Sequence, residues 1–180
     1  MGSSSHLKRL AMPRSWPLPR KTTIWVTRPS PGAHSLERCM PLNLIVRDVL
    51  SRAQTSREVR FIVQNDLVKV DGRICKDTRR GVGLMDVLSL GDEHFRCMLD
   101  VNGRLRYAQI SADEAAWKIA RIEGKSTIKG GKTQLNLHDG RNLIVDDSNQ
   151  YNTGDSLKMA LPEQTIMEHI KFTEGVRCYL

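Results

Sequence analysis

The chain has 180 residues, of which 39% are hydrophobic and 5% aromatic, and a formal net charge of +8. That length suffices for one domain or two small ones, and no apolar run is long enough to cross a bilayer as a helix. Cys39, Cys75, Cys97 and Cys178 are widely spaced and form no C-x-x-C pair, which argues against a disulfide scaffold and predicts reduced intracellular thiols.

The positive excess is uneven. Residues 1–41 hold seven Lys/Arg against one acid, residues 42–91 nine against six, and residues 92–180 twelve against thirteen. A basic first half therefore predicts a polyanionic partner for that half.

Residues 1–40 read as an extended arm. Six of the seven prolines lie within 13–41, at Pro13, Pro17, Pro19, Pro29, Pro31 and Pro41. Each removes a donor and disfavours helix at the residue before it. Lys8, Arg9, Arg14, Arg20, Lys21 and Arg28 are interrupted by no acid, so the arm repels itself and buries too little to order alone. It is expected to order on RNA, with its basic groups on phosphates. Trp16 and Trp25 then either stack on bases or pack on the body. Leu7 to Ala11 is broken by Pro13 before any hydrophobic stretch develops, so no signal peptide is predicted.

Pro41 opens a predicted helix over 42–52, with Leu42, Ile45, Val46, Val49 and Leu50 as its stripe. The next segment, Thr55 to Arg73, reads helix, strand, turn, strand. Ser56 stands where an N-cap is expected, ahead of a helix over 57–65. Val59, Ile62 and Val63 share one face of that helix, and Arg57, Arg60 and Gln64 share the other side. Asp71-Gly72 between Val68–Val70 and Arg73–Cys75 is a strong hairpin signal. Lys76 to Gly81 is a basic loop, and Gly83 to Leu90 reads as one helical turn. Arg57, Arg60, Lys69, Arg73, Lys76, Arg79 and Arg80 are the predicted phosphate contacts of this unit, with Lys8, Arg9 and Arg14 of the arm.

From His94 the period changes to two. Phe95–Val101 and Leu105–Ile110 flank Asn102-Gly103, and 133–138 and 141–145 flank Asp139-Gly140, two further hairpins. Between them Ser111 and Glu114 form a capping box, opening a predicted helix with Ala112, Ala115, Ala116, Ile119 and Ala120 on one face. Strands are expected over 157–161 and 165–171. The fold class is α+β: an arm (1–40), a small helix–helix–hairpin RNA-binding domain (41–91), and a mostly β domain with one helix (92–175).

Catalytic and cofactor motifs fail on spacing. A phosphate-binding loop needs a glycine five residues before its Gly-Lys pair; ahead of Gly124-Lys125 and Gly131-Lys132 those positions are Ile119 and Ser126. The five histidines never pair at metal-ligand spacing. Gly103-Arg104-Leu105 matches three residues of the pseudouridine synthase string, but its fourth residue, the nucleophilic Asp, is here Arg106. A guanidinium cannot act as that nucleophile.

Several blocks in order carry a family resemblance. His6-Leu7-Lys8-Arg9-Leu10-Ala11 with Pro13 and Trp16, Arg28 to Gly32, and Cys39 to Leu42 are the first three. Val68 to Gly72, Gly83 to Val87, and His138 to Asn142 follow. Together they resemble the archaeal and eukaryotic ribosomal protein S4e family over residues 6–180. The resemblance implies a structural rRNA-binding protein of the small ribosomal subunit, cytoplasmic and of archaeal type, whose residues 41–91 are the S4-type RNA-binding domain. It implies small-subunit rRNA and neighbouring ribosomal proteins as partners, with no catalysis, cofactor, metal, membrane or small-molecule substrate. It also implies a KOW-type barrel after the β-rich domain, of which residues 176–180 would be the start. The rival expectations are an RNA-modifying enzyme with an attached RNA-binding domain, and an RNA-binding regulator outside the ribosome.

Overall fold

A computed structural model describes residues 6–146 and 149–176. The chain divides into two units, Met1–Ala115 and Ala116–Leu180, each with its own hydrophobic core. No described helix is long and apolar enough to cross a membrane.

The first unit begins with two short strands, β1 (Leu7–Lys8) and β2 (Trp25–Val26), paired antiparallel. This corrects the free arm expected from the prolines. Trp16 is 2% exposed, and its indole Nε1 donates to the Cys39 carbonyl at 2.7 Å. Leu105 donates its backbone N–H to Ser15 O at 2.7 Å, and Met12 and Val26 join the same core. Buried Met12, Trp16 and Val26 and a set of long-range bonds supply what a charge count alone does not reveal. The prolines here shape a packed, irregular segment.

Next come β3 (Cys39–Pro41) and α1 (Leu42–Leu44), which runs on through a wide π-type turn over Ile45–Val49. The expected regular helix over 42–52 is thus underwound and widened at its end: Leu50 N–H donates to Ile45 O and Arg52 N–H to Val46 O. Leu42, Leu44, Ile45 and Val46 are all buried, so this segment is apolar on more than one face.

Helix α2 (Ser56–Gln64) starts one residue earlier than predicted, with Thr55 as its N-cap. Thr55 keeps extended backbone angles and its hydroxyl accepts from Glu58 N–H, while Glu58 accepts from the Gln54 N–H at 2.8 Å. This reciprocal cap satisfies orphan donors of the first turn. The Gln54 N–H and the Thr55 hydroxyl, both donating to it, hold the Glu58 carboxyl below its ordinary value. Ser56 instead accepts from Arg47 and Asn43, tying α2 to the preceding segment.

The strands β4 (Val68–Val70), β5 (Arg73–Ile74), β6 (Gly81–Gly83), β7 (Val87–Leu90), β8 (Glu93–Leu99) and β9 (Leu105–Ile110) follow. They build an antiparallel sheet in the order β5-β4-β7-β8-β9, while β6 pairs with β3. The predicted helical turn at 83–90 is therefore strand and turn. Val87 and Leu88 are both buried, and the Asp71 carboxylate accepts from Val87 N–H at 2.9 Å, locking β7 beside the hairpin. Residue 91, the expected domain junction, lies in the tight turn between β7 and β8, inside this one sheet. A short helix α3 (Ala112–Ala115) closes the unit, with the predicted Ser111–Glu114 capping box formed.

The loop of residues 34–39 is fastened to the turn before β7. His34 Nε2 lies 2.8 Å from Asp86 Oδ2, both side chains are buried, and Asp86 also accepts from Gly83 N–H. A Cβ on Gly83 would overlap the His34 ring. Gly83→Ala is therefore expected to force the His34 ring off Asp86 and lower stability by about 1–3 kcal/mol, the range for overpacking a core. A chemical-denaturation midpoint equal to that of the unsubstituted protein would show that the loop yields freely. Cys39, Cys75 and Cys97 are free thiols, and burial pushes the Cys39 thiol up to about 11, well away from reactive thiolate.

The second unit is an antiparallel sheet of β10 (Trp117–Thr127), β11 (Thr133–Leu137), β12 (Asn142–Val145), β13 (Ser156–Ala160) and β14 (Ile166–Ile170), in the order β12-β11-β10-β13-β14. The predicted helix through Ala120 stops at Ala115. Residues 117–122 alternate instead, with Lys118, Ala120 and Ile122 buried against Leu135, Leu137, Leu157 and Met159. β10 changes partner along its length: Trp117–Arg121 pair with β13, and Ile122–Thr127 pair with β11, with an irregularity between Ile122 and Gly124. Asp155 clamps the C-terminal side, accepting from Asn152 N–H and Phe172 N–H and sitting 2.8 Å from His169 Nε2. Residues 177–180, at the expected start of a further barrel, lie outside the described residues.

Candidate RNA-binding surface

Val59 and Val63 of α2 and Val68 and Val70 of β4 belong to one buried core. That core fixes helix and hairpin as a single body, so the polar residues between these anchors are held outward. Arg57, Arg60 and Gln64 are exposed on α2, as the helical phase predicted. Lys69 stands between buried Val68 and Val70 and so faces away from the core, and Arg73 of β5 is exposed. Among the described residues, Arg57, Arg60, Lys69 and Arg73 have no side-chain hydrogen bond or ion pair, so no described partner compensates their charges.

The basic loop is built differently. Lys76 is exposed and pairs with Asp66 at 3.1 Å. Asp77 accepts from Arg79 N–H, a local turn that sets the loop's shape. The Arg79 guanidinium is half-buried and donates to Arg28 O, and Arg79 O accepts from Ser30 N–H. Arg80 is exposed, and its carbonyl accepts from Leu42 N–H. The N-terminal segment and the helix start at residue 42 therefore brace this loop from both sides.

In the N-terminal segment, Lys8 is exposed with its Nζ 5.9 Å from the Trp25 ring centroid, and Arg14 is exposed. Arg9 departs from its expected role. It is 7% exposed, its Nε donates to Pro19 O at 2.6 Å and its Nη1 to Thr23 Oγ1. Two of its three nitrogens hold the proline-rich loop. Trp16 is likewise closed to bases, whereas Trp25 is 52% exposed.

The nucleotide-binding strings sit in the wrong architecture for their motif. Gly124-Lys125-Ser126 lies within β10, and Gly131-Lys132-Thr133 spans a hairpin tip into β11, so neither precedes a helix N-terminus as a phosphate-binding loop requires.

Comparison with known proteins decides the family. The model of ribosomal family S4e matches residues 91–166, and that of the RS4NT domain residues 1–37. The small ribosomal subunit protein eS4 of Methanosphaera stadtmanae is 47% identical over 177 residues, 97% of this chain and 73% of that protein. Its namesake in Ignicoccus hospitalis is 44% identical, over 97% of this chain and 72% of that one. The chain belongs to the ribosomal S4e family. A solved S4e structure, the 30S ribosomal protein from Thermoplasma acidophilum, superposes on this S4e chain with a TM-score of 0.68 at 33% identity, covering 77% of this chain and 71% of that one. The mixed, mostly β architecture with few helices is thus the family's.

Proposed function

We infer that this S4e chain is a structural constituent of the small ribosomal subunit that binds rRNA in the cytoplasm and is not an enzyme. The observation that carries the inference is its identity to small-subunit eS4 proteins along nearly its whole length. The uncompensated cations of α2 and the hairpin supply the chemistry. Arg57, Arg60, Lys69 and Arg73 grip phosphates, and Lys8, Arg14, Lys76, Arg79 and Arg80 extend the grip along loop 76–80 and the N-terminal segment. Recognition rests on RNA shape and backbone more than on a base code.

The protein is expected to co-sediment with small-subunit particles in lysate of its source cells. If about five of these nine cations reach phosphates at once, the slope of log affinity against log salt on small-subunit rRNA is about −4. Arg57→Ala or Arg60→Ala is expected to weaken binding and to flatten that slope by about 1 each, with thermal stability unchanged. Absence from the small-subunit peak, together with a slope near zero, would rule the reading out.

A further inference from the structure

We propose that Phe61 is a stacking platform for one unpaired RNA base, gripped beside the phosphates that Arg57 and Arg60 hold; the proposal rests on the rRNA-binding reading. Phe61 is 67% exposed in the middle of α2. At 100° per residue it stands about 40° from Arg57 and about 60° from Gln64 around the axis, and about 160° from buried Val59. It therefore occupies the polar arc and contributes nothing to the core. Solitary exposed apolar residues are common and need no explanation by themselves. What singles this one out is its company. The phenyl ring makes no ring or cation contact among the described residues, and the guanidiniums of Arg57 and Arg60 on the same arc are unpaired.

One ligand chemistry satisfies all three groups. RNA offers anionic phosphates to the guanidiniums and, at an unpaired nucleotide, a flat base face to the ring. A continuous duplex offers the phosphates but hides the base faces, so the geometry selects a loop or bulge. A protein partner would have to place carboxylates against both guanidiniums around an apolar socket. The basic first half, with an excess of cations in every segment through residue 91, favours the polyanion.

The test uses the whole chain with two probes, small-subunit rRNA and a perfectly paired RNA duplex, over a salt series. Phe61→Leu is expected to keep the thermal midpoint and the salt slope while lowering rRNA affinity by roughly 5- to 150-fold, the range for losing one stacked base. Duplex binding is expected to stay unchanged, and Phe61→Trp to keep rRNA affinity. The separation from the arginines is clean, because those substitutions alter the slope and this one does not. Unchanged rRNA affinity in Phe61→Leu would overturn the site. So would equal losses on both probes, or a Phe61→Trp protein as weak as Phe61→Leu. Normal binding of Phe61→Leu to naked rRNA with poor incorporation into subunits would also overturn it and point to a protein contact. Failure of the unsubstituted protein to bind rRNA would bring down the rRNA-binding reading itself, and this site with it.

Discussion

Trp16→Ala is expected to lower the stability of the first unit by about 3–5 kcal/mol, the range for deleting a buried large aromatic. The indole is 2% exposed, packs in the main core and donates to Cys39 O. Its removal opens a cavity and leaves a buried carbonyl without its donor. For a unit of this size each kcal/mol moves the thermal midpoint by roughly 4–8 °C, so a fall of more than about 12 °C is expected. Trp16→Phe keeps most of the packing but orphans the carbonyl, and is expected to fall by about 1–3 kcal/mol. Trp25→Ala, at a residue 52% exposed, is the control and is expected to stay within about 1 kcal/mol. Calorimetry on the three proteins checks the order. If Trp25→Ala proved the more damaging, the N-terminal segment would not be packed as described.

The second large effect lies in the other unit. Lys118 is 0% exposed and Asp139 1%, with their charged atoms 2.5 Å apart, and Arg141 Nε lies 3.3 Å from the same carboxylate. Asp139→Asn strands a buried ammonium and is expected to cost about 3–5 kcal/mol. Adding Lys118→Met removes the stranded charge and is expected to restore much of the loss, because the pair itself is worth far less than the penalty for breaking it. Acid should act in the same way. Burial pushes the Asp139 carboxyl up, but Lys118 and Arg141 outweigh it and hold the carboxyl below its ordinary value. Its contribution is then present above the unfolded value of about 4 and is lost as pH falls through the folded one. Asp155 is also depressed, by Phe172 N–H, Asn152 N–H and His169 against the effect of burial, and adds to the same acid loss. Urea midpoints at pH 7 and pH 3 should therefore converge between the Asn variant and the unsubstituted protein. A constant gap at both pH values would refute the charged pair.

Local chemistry was legible where one residue type dictates one geometry. Asp71-Gly72, Asn102-Gly103 and Asp139-Gly140 each form the turn predicted, with positive φ at Asp71 and at all three glycines. The outward arc of α2, with Arg57, Arg60 and Gln64 on it, also followed from spacing. Legibility failed where a tertiary partner decides. Residues 117–122 alternate like a strand, yet Lys118 at an inward position masks the pattern until its buried mate Asp139 is known. Arg9 read as an RNA contact, and Trp16 was left open between base and body, because their acceptors, Pro19 O and Cys39 O, are backbone atoms that no composition count contains.

The long-range bonds of the N-terminal segment set an order of events during synthesis. Ser15 waits for Leu105, Ser30 for Arg79, and His34 for Asp86. Translation adds roughly 5–20 residues per second, so the span from Ser15 to Leu105 takes on the order of 5–20 seconds. For that interval the cationic, tryptophan-bearing N-terminal segment has its near partners, such as Pro19 O for Arg9 and Cys39 O for Trp16, but lacks the bond from Leu105. Leu105, the first residue of β9, supplies the last of these three partners, so the N-terminal segment is pinned only once β9 has begun to emerge.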